Sequence, residues 1–436
     1  SEHWNSVPGE GGGETIDGNE QDNSLSGTDG DDILLGYDGD DSLFGNGGND
    51  WIEGGRGDAS LSGGAGNDTY FWSPGDGLDT VNDGENNDTI IFGEGVYANE
   101  IKFRCINDHD LQIMVGGSDK QGIIIRDFFY GTERIYKTLQ FADGSEMRLS
   151  DKGFELWQTD ETEKITAGGF DDIIHAGGGD DRVNAGHGND TIIGGRGNDI
   201  LYGGEGDDVY VWNRGDGLDE IWEDAGSDTI RFGEGIAFDD LTFAYENGYL
   251  LITVDGDDTQ GVKIRDFFGS QKEQYMVEKL EFADGSSFNL AENGLSLSQT
   301  NGDESIKATD FDDVIFAGDG NDEIKAGSGN DIIDGGLGND RLEGGEGDDV
   351  YIYKLGGGFD TVYDKQGNDK IAFGEGITLD NLSFTEGNND LKIVVNGDEG
   401  QGLLIKNHNG SGKISEKKEK NMIRLMKAFR HLMKIY

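Results

Sequence analysis

Bulky apolar residues recur at every ninth position along most of the chain, and glycine and aspartate fill the positions between them. The stretch from Ala185 to Val211 shows the pattern most regularly, as AGHGNDTII, GGRGNDILY and GGEGDDVYV. Each copy has glycine at position four, aspartate at position six and a bulky aliphatic or aromatic residue at position eight. Short apolar segments between glycine-rich turns predict short β-strands, and the fixed period predicts a repeat architecture.

The copies form three series, in which GNDTYFW, GDDVYVW and GDDVYIY begin at Gly66, Gly206 and Gly347. The fourth copy of the first series has Ala59 where aspartate belongs. After each series the spacing to the next aspartate is eleven residues instead of nine. These three aspartates are Asp79, Asp219 and Asp360. Each is interpreted either as a further metal ligand or as a solvated turn acid. The regular sixth-position aspartates are Asp32, Asp41, Asp50, Asp68, Asp172, Asp181, Asp190, Asp199, Asp208, Asp313, Asp322, Asp331, Asp340 and Asp349.

Between the series the pattern changes to alternating polar and apolar residues, as in Leu111 to Val115 and Ile123 to Phe129. This alternation predicts antiparallel strands that flank or cap the repeat blocks. The predicted segments are a linker (1–22), a first repeat block (23–95) with its flanking β cap (96–160), a second block (161–235) with its cap (236–300), a third block (301–376) with a partial cap (377–407), and a basic amphipathic tail (408–436).

The spacing of the aspartates indicates a need for metal. Eighteen residues make one coil of two turns and two strands, so strands of successive coils stack in parallel about 4.8 Å apart, with position eight pointing inward. Sixth-position carboxylates such as Asp190 and Asp208 then lie in adjacent coils, where two charges about 5 Å apart repel by roughly 3 kcal/mol at an effective dielectric constant of 20. A hard divalent cation reverses this repulsion, and carboxylate and carbonyl oxygens suit Ca²⁺ rather than Zn²⁺ or copper.

Composition and charge narrow the class of protein. Hydrophobic residues make up 33% of the 436 residues and glycine contributes 76, which is too little apolar material for several conventional cores. The net charge is −55, so nucleic acid and anionic membranes are poor partners for the body of the chain, and cations are suitable ones. Cys105 is the single cysteine, so no internal disulfide can form. The sequence predicts no transmembrane segment and no N-terminal secretion signal, and its linker-like start leads us to expect the C-terminal part of a longer polypeptide.

With these motifs in register, the chain resembles the RTX, or haemolysin-type calcium-binding repeat, proteins. The resemblance implies an all-β fold of three calcium-bound parallel β-rolls with antiparallel flanking segments and a short C-terminal helix. It also implies export through a type I secretion apparatus, folding in calcium-rich medium outside the cell, and membership of a group that includes toxins, proteases, lipases and adhesins.

Carried over by position, the resemblance implies several Ca²⁺ ions per block, held by the sixth-position aspartates and by turn residues. Ala59 puts in doubt any site that would have used a carboxylate there. The turn residues are Gly27, Gly36, Gly45, Gly48, Gly186, Gly188, Gly194, Arg196, Gly197, Gly203, Gly206, Gly327, Gly329, Gly335, Gly338, Gly344 and Gly347.

Catalytic chemistry is not indicated by the remaining residues. The six histidines form no spaced metal or triad pattern, and Cys105 lies in an alternating segment typical of a buried strand. In the tail, Met422, Leu425 and Phe429 are spaced as on one face of a helix, and basic residues lie between them. It is interpreted as a secretion-signal helix, a membrane-surface contact or a calmodulin-like target, or else as a divergent terminus that docks on an acidic roll.

The leading hypothesis is therefore a secreted, non-catalytic calcium-binding region that folds on export. The alternatives are a segment of a toxin or adhesin that binds a host-cell or surface receptor, and the C-terminal module of a secreted hydrolase.

Overall fold

A computed structural model describes residues 12–83, 86–130, 137–269, 277–299, 301–364 and 366–407. The chain divides into two compact units, Ser1–Gly226 and Ser227–Tyr436. Both units are built from strands, and the helical elements among the described residues are three short 3-10 helices, Leu149–Asp151, Phe238–Asp240 and Leu379–Asn381. Within the described residues no helix has the length and apolar content needed to cross a membrane. The predicted all-β fold is confirmed, and the predicted C-terminal helix lies outside the described residues.

The first unit contains the first repeat block, its flanking strands and most of the second block. Its strands are β1 (Thr15–Asn19), β2 (Ser24–Ser26), β3 (Ile33–Tyr37), β4 (Ser42–Gly47), β5 (Trp51–Glu53), β6 (Ser60–Ala65), β7 (Thr69–Trp72), β8 (Leu78–Val81), β9 (Asp88–Phe92), β10 (Ile101–Ile106), β11 (Asp110–Val115), β12 (Ser118–Ile125), β13 (Lys137–Gln140), β14 (Glu146–Arg148), β15 (Glu155–Trp157), β16 (Lys164–Thr166), β17 (Ile173–Gly178), β18 (Arg182–His187), β19 (Thr191–Arg196), β20 (Ile200–Glu205), β21 (Val209–Trp212) and β22 (Leu218–Trp222).

The repeat blocks form parallel β-rolls, as the nine-residue period predicts. In the first block the odd-numbered strands β1 to β9 make one sheet and the even-numbered strands β2 to β8 make the opposite one. Neighbouring parallel strands pair residues eighteen positions apart, as in Ile16 with Leu34, Leu34 with Ile52, and Ile52 with Tyr70. One coil therefore takes two nonapeptides, and each nonapeptide contributes one turn and one strand.

The first roll begins earlier than the predicted boundary at residue 23. Strand β1 lies within the segment 1–22, which the sequence analysis treats as a linker. Ile16 stands nine residues before Leu25 and eighteen before Leu34, so it continues the position-eight pattern. The aspartate at position six is absent from these first copies, where Glu14 and Asn23 replace it, and the motif alone therefore does not reveal them.

The antiparallel flanking strands extend the roll sheets in the first unit. Strands β10, β11 and β12 pair antiparallel with one another, as predicted. Their outer members pair parallel with roll strands, β12 with β8 and β10 with β15, so one sheet runs in the order β2-β4-β6-β8-β12-β11-β10-β15-β17-β19-β21. Strand β13 likewise pairs parallel with β9. These pairings satisfy the backbone of strands that would otherwise be open edges.

The second unit repeats the plan. Its strands are β23 (Asp228–Phe232), β24 (Leu241–Glu246), β25 (Tyr249–Val254), β26 (Asp257–Ile264), β27 (Val277–Phe282), β28 (Ser287–Asn289), β29 (Ser296–Ser298), β30 (Ser305–Lys307), β31 (Val314–Phe316), β32 (Glu323–Ser328), β33 (Ile332–Asp334), β34 (Arg341–Glu346), β35 (Val350–Tyr353), β36 (Phe359–Tyr363), β37 (Lys370–Phe373), β38 (Leu382–Gly387), β39 (Asp390–Val395) and β40 (Asp398–Lys406). The third roll has one sheet of β29-β31-β33-β35-β37 and an opposite sheet of β30-β32-β34-β36, which β40, β39 and β38 extend.

Position-eight side chains form the interior of each roll. Leu43, Ile192 and Ile333 are fully buried, and the same position in the last copy of each series is a buried tyrosine: Tyr70, Tyr210 or Tyr351. Full burial of one aliphatic side chain contributes about 1.5–3 kcal/mol. Because the two sheets of a roll each supply one position-eight residue per strand, the core is narrow, and the stability of the roll also depends on how its turns are held.

Candidate metal centres

The sixth-position aspartates point into the stack and form two columns in each roll. In one column of the second roll the backbone N–H of Asp172 donates to Oδ1 of Asp190, and the N–H of Asp190 donates to Oδ1 of Asp208, both at 2.7 Å. In the other column the N–H of Asp181 donates to Oδ1 of Asp199 at 2.8 Å. Each carboxylate therefore ties its own turn to the turn one coil before it.

The second oxygen of most of these carboxylates has no hydrogen-bond partner among the described residues. These Oδ2 atoms are buried, and a buried charged oxygen without a partner costs several kcal/mol. Such an atom fits a bound cation, since the hydrogen bond at Oδ1 already fixes the direction of Oδ2. The residues are Asp41, Asp50, Asp68, Asp79, Asp181, Asp190, Asp199, Asp322, Asp331, Asp340, Asp349 and Asp369.

Burial and mutual repulsion raise the pKa of several of these carboxyl groups. Burial is the largest cause for Asp190, whose pKa rises to about 7, and the charges of Asp208 and Asp172 add to the shift. The pKa of Asp331 rises to about 8 and that of Asp50 to about 6 for the same reasons. These carboxyl groups therefore ionise less readily than a free aspartate, and a cation beside them would favour their ionised form.

Position one of the nonapeptide lies against the unpartnered oxygen. A Cβ built on Gly36 would lie 2.3 Å from the carbonyl oxygen of Gly54 in the next coil and 2.4 Å from Oδ2 of Asp41. A carboxylate oxygen and a backbone carbonyl oxygen therefore face the same small space, and hard oxygen donors of this kind suit Ca²⁺. Alanine stands at position one in Ala185 and Ala326, so the position requires a small residue rather than glycine alone.

Positions two and four hold glycine in most copies for a different reason, although Tyr37 and Asn46 take a positive φ at position two. Gly195 and Gly197 have φ values of 89° and 140°, which residues with a Cβ rarely adopt. A Cβ on Gly197 would also lie 1.9 Å from the carbonyl oxygen of Gly179 in the preceding coil. The position-four glycine is therefore a point of close approach between stacked turns, as is the glycine at position two.

The first aspartate of each series is placed differently from the others. Oδ2 of Asp32 accepts the backbone N–H of Thr28 at 2.5 Å, Oδ2 of Asp172 accepts that of Gly168 at 3.0 Å, and Oδ2 of Asp313 accepts that of Thr309 at 2.8 Å. Both oxygens of these three carboxylates are thus hydrogen-bonded to backbone. They close the ends of their columns, although the motif does not distinguish them from the other copies.

Ala59 removes one rung of a column in the first roll, because alanine offers no carboxylate to the N–H of Asp41, but the next rung is kept. Its N–H donates to Oδ1 of Asp79 at 2.9 Å, and Oδ2 of Asp79 lies 3.3 Å from a Cβ built on Gly54. Asp79, Asp219 and Asp360 are all buried, which favours the ligand interpretation of these residues over that of solvated turn acids.

Two glutamates join the columns and were missed from the sequence. The N–H of Glu163 donates to Oδ1 of Asp181, and that of Glu304 donates to Oδ1 of Asp322, both at 2.8 Å. Glu163 stands nine residues before Asp172, and Glu304 nine before Asp313, so each occupies position six of an additional copy. A search for carboxylates of either length at the nine-residue spacing would have found them.

Within the part of the chain that the structure describes, Cys105 and the histidines take no part in the columns. Cys105 is buried in β10, and burial raises the pKa of its thiol to about 11, which confirms the expected buried residue. His175 pairs with Glu155 and stacks on Trp157, while His187 pairs with the exposed Glu205. These contacts are local to the roll surface.

Comparison with known proteins gives matches to two family models. The RTX calcium-binding nonapeptide repeat matches residues 8–43, 35–70, 157–192, 177–210, 185–219, 299–333, 317–351 and 354–378. The haemolysin-type calcium binding protein related domain matches residues 250–292. No curated protein matches the chain.

Two solved structures are similar to parts of the chain. The solution structure of the AlgE6R3 subunit from the Azotobacter vinelandii mannuronan C5-epimerase shares 30% identity over 25% of this chain and 72% of its own length, with a TM-score of 0.20. The crystal structure of the extracellular lipase LipA from Serratia marcescens shares 16% identity over 58% of this chain and 37% of its own length, also with a TM-score of 0.20.

Proposed function

From the premise that this chain is an RTX calcium-binding repeat protein, we propose that it is a calcium-triggered folding module of a secreted protein. The observation that carries the proposal is the set of buried, unpartnered Oδ2 atoms in the aspartate columns. A roll of this type is typically a structural, non-catalytic module. The ions we propose, several per roll, lie between successive turns.

The two oxygens of each column carboxylate have different roles. Oδ1 of Asp199 holds the turn of Asp181, while its Oδ2 and the neighbouring carbonyl oxygens remain for a cation. Bound Ca²⁺ would supply the positive charge that offsets the repulsion between adjacent carboxylates. The position-one and position-four residues keep the turns close enough for oxygens of two coils to reach one ion.

The strength of this switch follows from general magnitudes. Sites in extracellular calcium modules have dissociation constants of about 0.1–1 mM. At a calcium concentration ten times the dissociation constant, each ion adds about 1.4 kcal/mol to the stability of the folded state. Several ions per roll therefore add about as much as the whole net stability of a small domain, and this contribution vanishes where free calcium is scarce.

We propose that this switch serves export. In the low free calcium of a cell interior, the acidic chain, with its net charge of −55, would remain unfolded and pass through a type I secretion apparatus. Calcium-rich medium outside would then fold it. The alternative roles, in receptor binding or adhesion or as a module of a secreted hydrolase, stay predictions.

Circular dichroism of the full chain in calcium and in excess chelator tests the proposal. We expect β-structure in calcium and its loss in chelator, with recovery when calcium is restored. Magnesium at the same concentration is the matched control, and we expect it to be less effective because it demands a tighter octahedral shell of oxygens. A chain that stays folded in excess chelator would overturn the proposal.

The raised pKa values predict an opposite pH dependence with and without calcium. The folded state holds protons on groups such as Asp190 and Asp331 up to about pH 7–8, whereas unfolded aspartate releases them near pH 3.9. Protonation therefore stabilises the calcium-free fold fully below about pH 3.9, and this contribution is lost as pH rises through the folded pKa values. In chelator, the folded fraction should increase on acidification from pH 8 to about pH 5. In calcium, acid should raise the calcium concentration needed for folding. Folded fractions that do not change with pH in chelator would contradict the account of buried, repelling carboxylates.

A further inference from the structure

The first and third rolls each end in a cluster of three carboxylates. In the first roll these are Asp68, Asp83 and Asp88, and in the third they are Asp349, Asp364 and Asp369; within each cluster one oxygen of every residue lies within 4.8 Å of the others. The first and last members belong to a column, since the N–H of Asp349 donates to Oδ1 of Asp369 at 3.1 Å. The middle member stands five residues before the last one, at position one of the irregular copy, where the regular copies have glycine or alanine.

A buried tyrosine holds the middle carboxylate beside the column. The Tyr351 hydroxyl donates to Oδ2 of Asp364 at 2.7 Å and accepts the backbone N–H of Gly344 at 2.8 Å. Tyr70 makes the same two contacts with Asp83 and Gly63, at 2.5 and 2.7 Å. These tyrosines occupy position eight, where most other copies have an aliphatic residue, so the last copy of each roll is built to place a third carboxylate.

In the first roll the cluster contains a cation that belongs to the chain. The ammonium of Lys137 forms an ion pair with Oδ2 of Asp88, and the side chains of both residues are fully buried. Lys137 is the first residue of β13, and the parallel pairing of β13 with β9 places it directly opposite Asp88. A lysine is rarely buried unless it is paired, so the buried Asp88 of this cluster favours a positive charge beside it.

In the third roll the corresponding position lacks a lysine among the described residues. Strand β37 takes the place of β9, but in the part of the chain that the structure describes no strand pairs with its other edge as β13 does in the first unit. No ion pair of the described residues joins a lysine or arginine to Asp349, Asp364 or Asp369. Oδ2 of Asp349 and Oδ2 of Asp369 are buried without a partner, and both residues are 0% exposed.

We infer that Asp349, Asp364 and Asp369 form a terminal calcium site at the end of the third roll, and that Lys137 replaces this ion at the end of the first. The inference rests on the proposed function, because it adds a third carboxylate to the column acids Asp349 and Asp369 and names the end of a roll at which a lysine replaces the ion. Three carboxylates offer oxygen donors and an excess of negative charge, which suits Ca²⁺. At the end of the first roll, Lys137 neutralises the carboxylate of Asp88 at any calcium concentration. At the end of the third roll, the three carboxylates are neutralised only when calcium binds.

The number of calcium ions bound per chain tests the inference. We would measure it by isothermal titration calorimetry and by elemental analysis after equilibrium dialysis, on the full chain and on Asp364→Asn. We expect this variant to bind one ion fewer than the unaltered chain. Asp83→Asn is the matched control: it removes the same carboxylate beside Lys137, and we expect it to leave the number unchanged. An unchanged number of bound ions in Asp364→Asn would overturn the inference.

A second variant tests the replacement by lysine. Lys137→Met removes the ammonium with little change in volume, and we expect the chain to bind one additional calcium ion and to need calcium to order the end of its first roll. An unchanged number of ions, or a first roll that fails to fold in saturating calcium, would contradict the role of Lys137. Failure of the proposed function itself would look different, because the unaltered chain would then take up no calcium on folding.

Discussion

Replacement of Asp331 by asparagine is expected to weaken the roll in calcium and to stabilise it in chelator. The amide side chain would retain the oxygen that accepts the N–H of Asp313 at 2.8 Å, so the ladder of hydrogen bonds stays intact. The substitution would remove the charge at Oδ2, which is buried, unpartnered and close to the charges of Asp349 and Asp313. In calcium the variant loses a ligand, and we expect a loss of about 1–3 kcal/mol in stability. In chelator the asparagine folds without a proton, whereas Asp331 must either take up a proton or bear a repulsion of roughly 3 kcal/mol; the unpaired amide offsets part of this gain.

The measurement is the calcium concentration at the midpoint of folding, followed by circular dichroism, together with the folded fraction in chelator. An osmolyte such as TMAO would raise the calcium-free folded fraction to a measurable level. Asp319→Asn is the matched control, since Asp319 is exposed in a neighbouring turn of the same roll. An effect of the same sign in calcium and in chelator would show that Asp331 acts through packing or hydrogen bonding and not through a cation.

Replacement of Gly197 by alanine is expected to prevent stacking of the second roll. The residue has a φ of 140°, and the new Cβ would lie 1.9 Å from the carbonyl oxygen of Gly179. The strained backbone costs about 1–3 kcal/mol and the overpacking about 1–3 kcal/mol more. Because the clash is with backbone of the neighbouring coil, no side-chain rotation relieves it. We expect a loss of about 2–6 kcal/mol, the sum of these two costs, and a marked rise in the calcium concentration needed for folding.

Gly169→Ala in the same roll provides the comparison. A Cβ on Gly169 meets no atom within 4 Å, and its φ lies outside the positive region. We expect this variant to fold at the same calcium concentration as the unaltered chain or slightly below it, because alanine restricts the unfolded chain. Equal effects of the two substitutions would contradict the role of position four as a point of contact between coils.

Much of the fold can be predicted from the sequence because every copy of the repeat contains the same structural signals. The nine-residue period gives the eighteen-residue coil, position eight gives the interior, and position six gives the columns that run through Asp190 and Asp331. A single copy would have been ambiguous between a turn and a loop. Many copies in register favour one arrangement, which buries the position-eight residues and brings the position-six carboxylates into two columns.

The parts that the sequence did not reveal depend on contacts between distant residues. The motif treats Asp172 as equal to Asp190, yet of these two only Asp172 has its second oxygen bound by a backbone N–H, that of Gly168. Lys137 is unremarkable in sequence and becomes part of a carboxylate cluster only because β13 pairs with β9. The flanking strands were predicted, but their continuation of the roll sheets depends on pairings that local alternation does not encode.

The central claim is that the buried Oδ2 atoms of the aspartate columns are calcium ligands, and a crystal structure of the chain grown in calcium tests it most directly. Anomalous scattering at a wavelength where calcium contributes should show ions about 2.3–2.6 Å from Oδ2 of Asp199 and Asp331, and none beside Oδ2 of Asp172. Oδ2 atoms that are bound by water or by protein donors, with no ion between the turns, would contradict it.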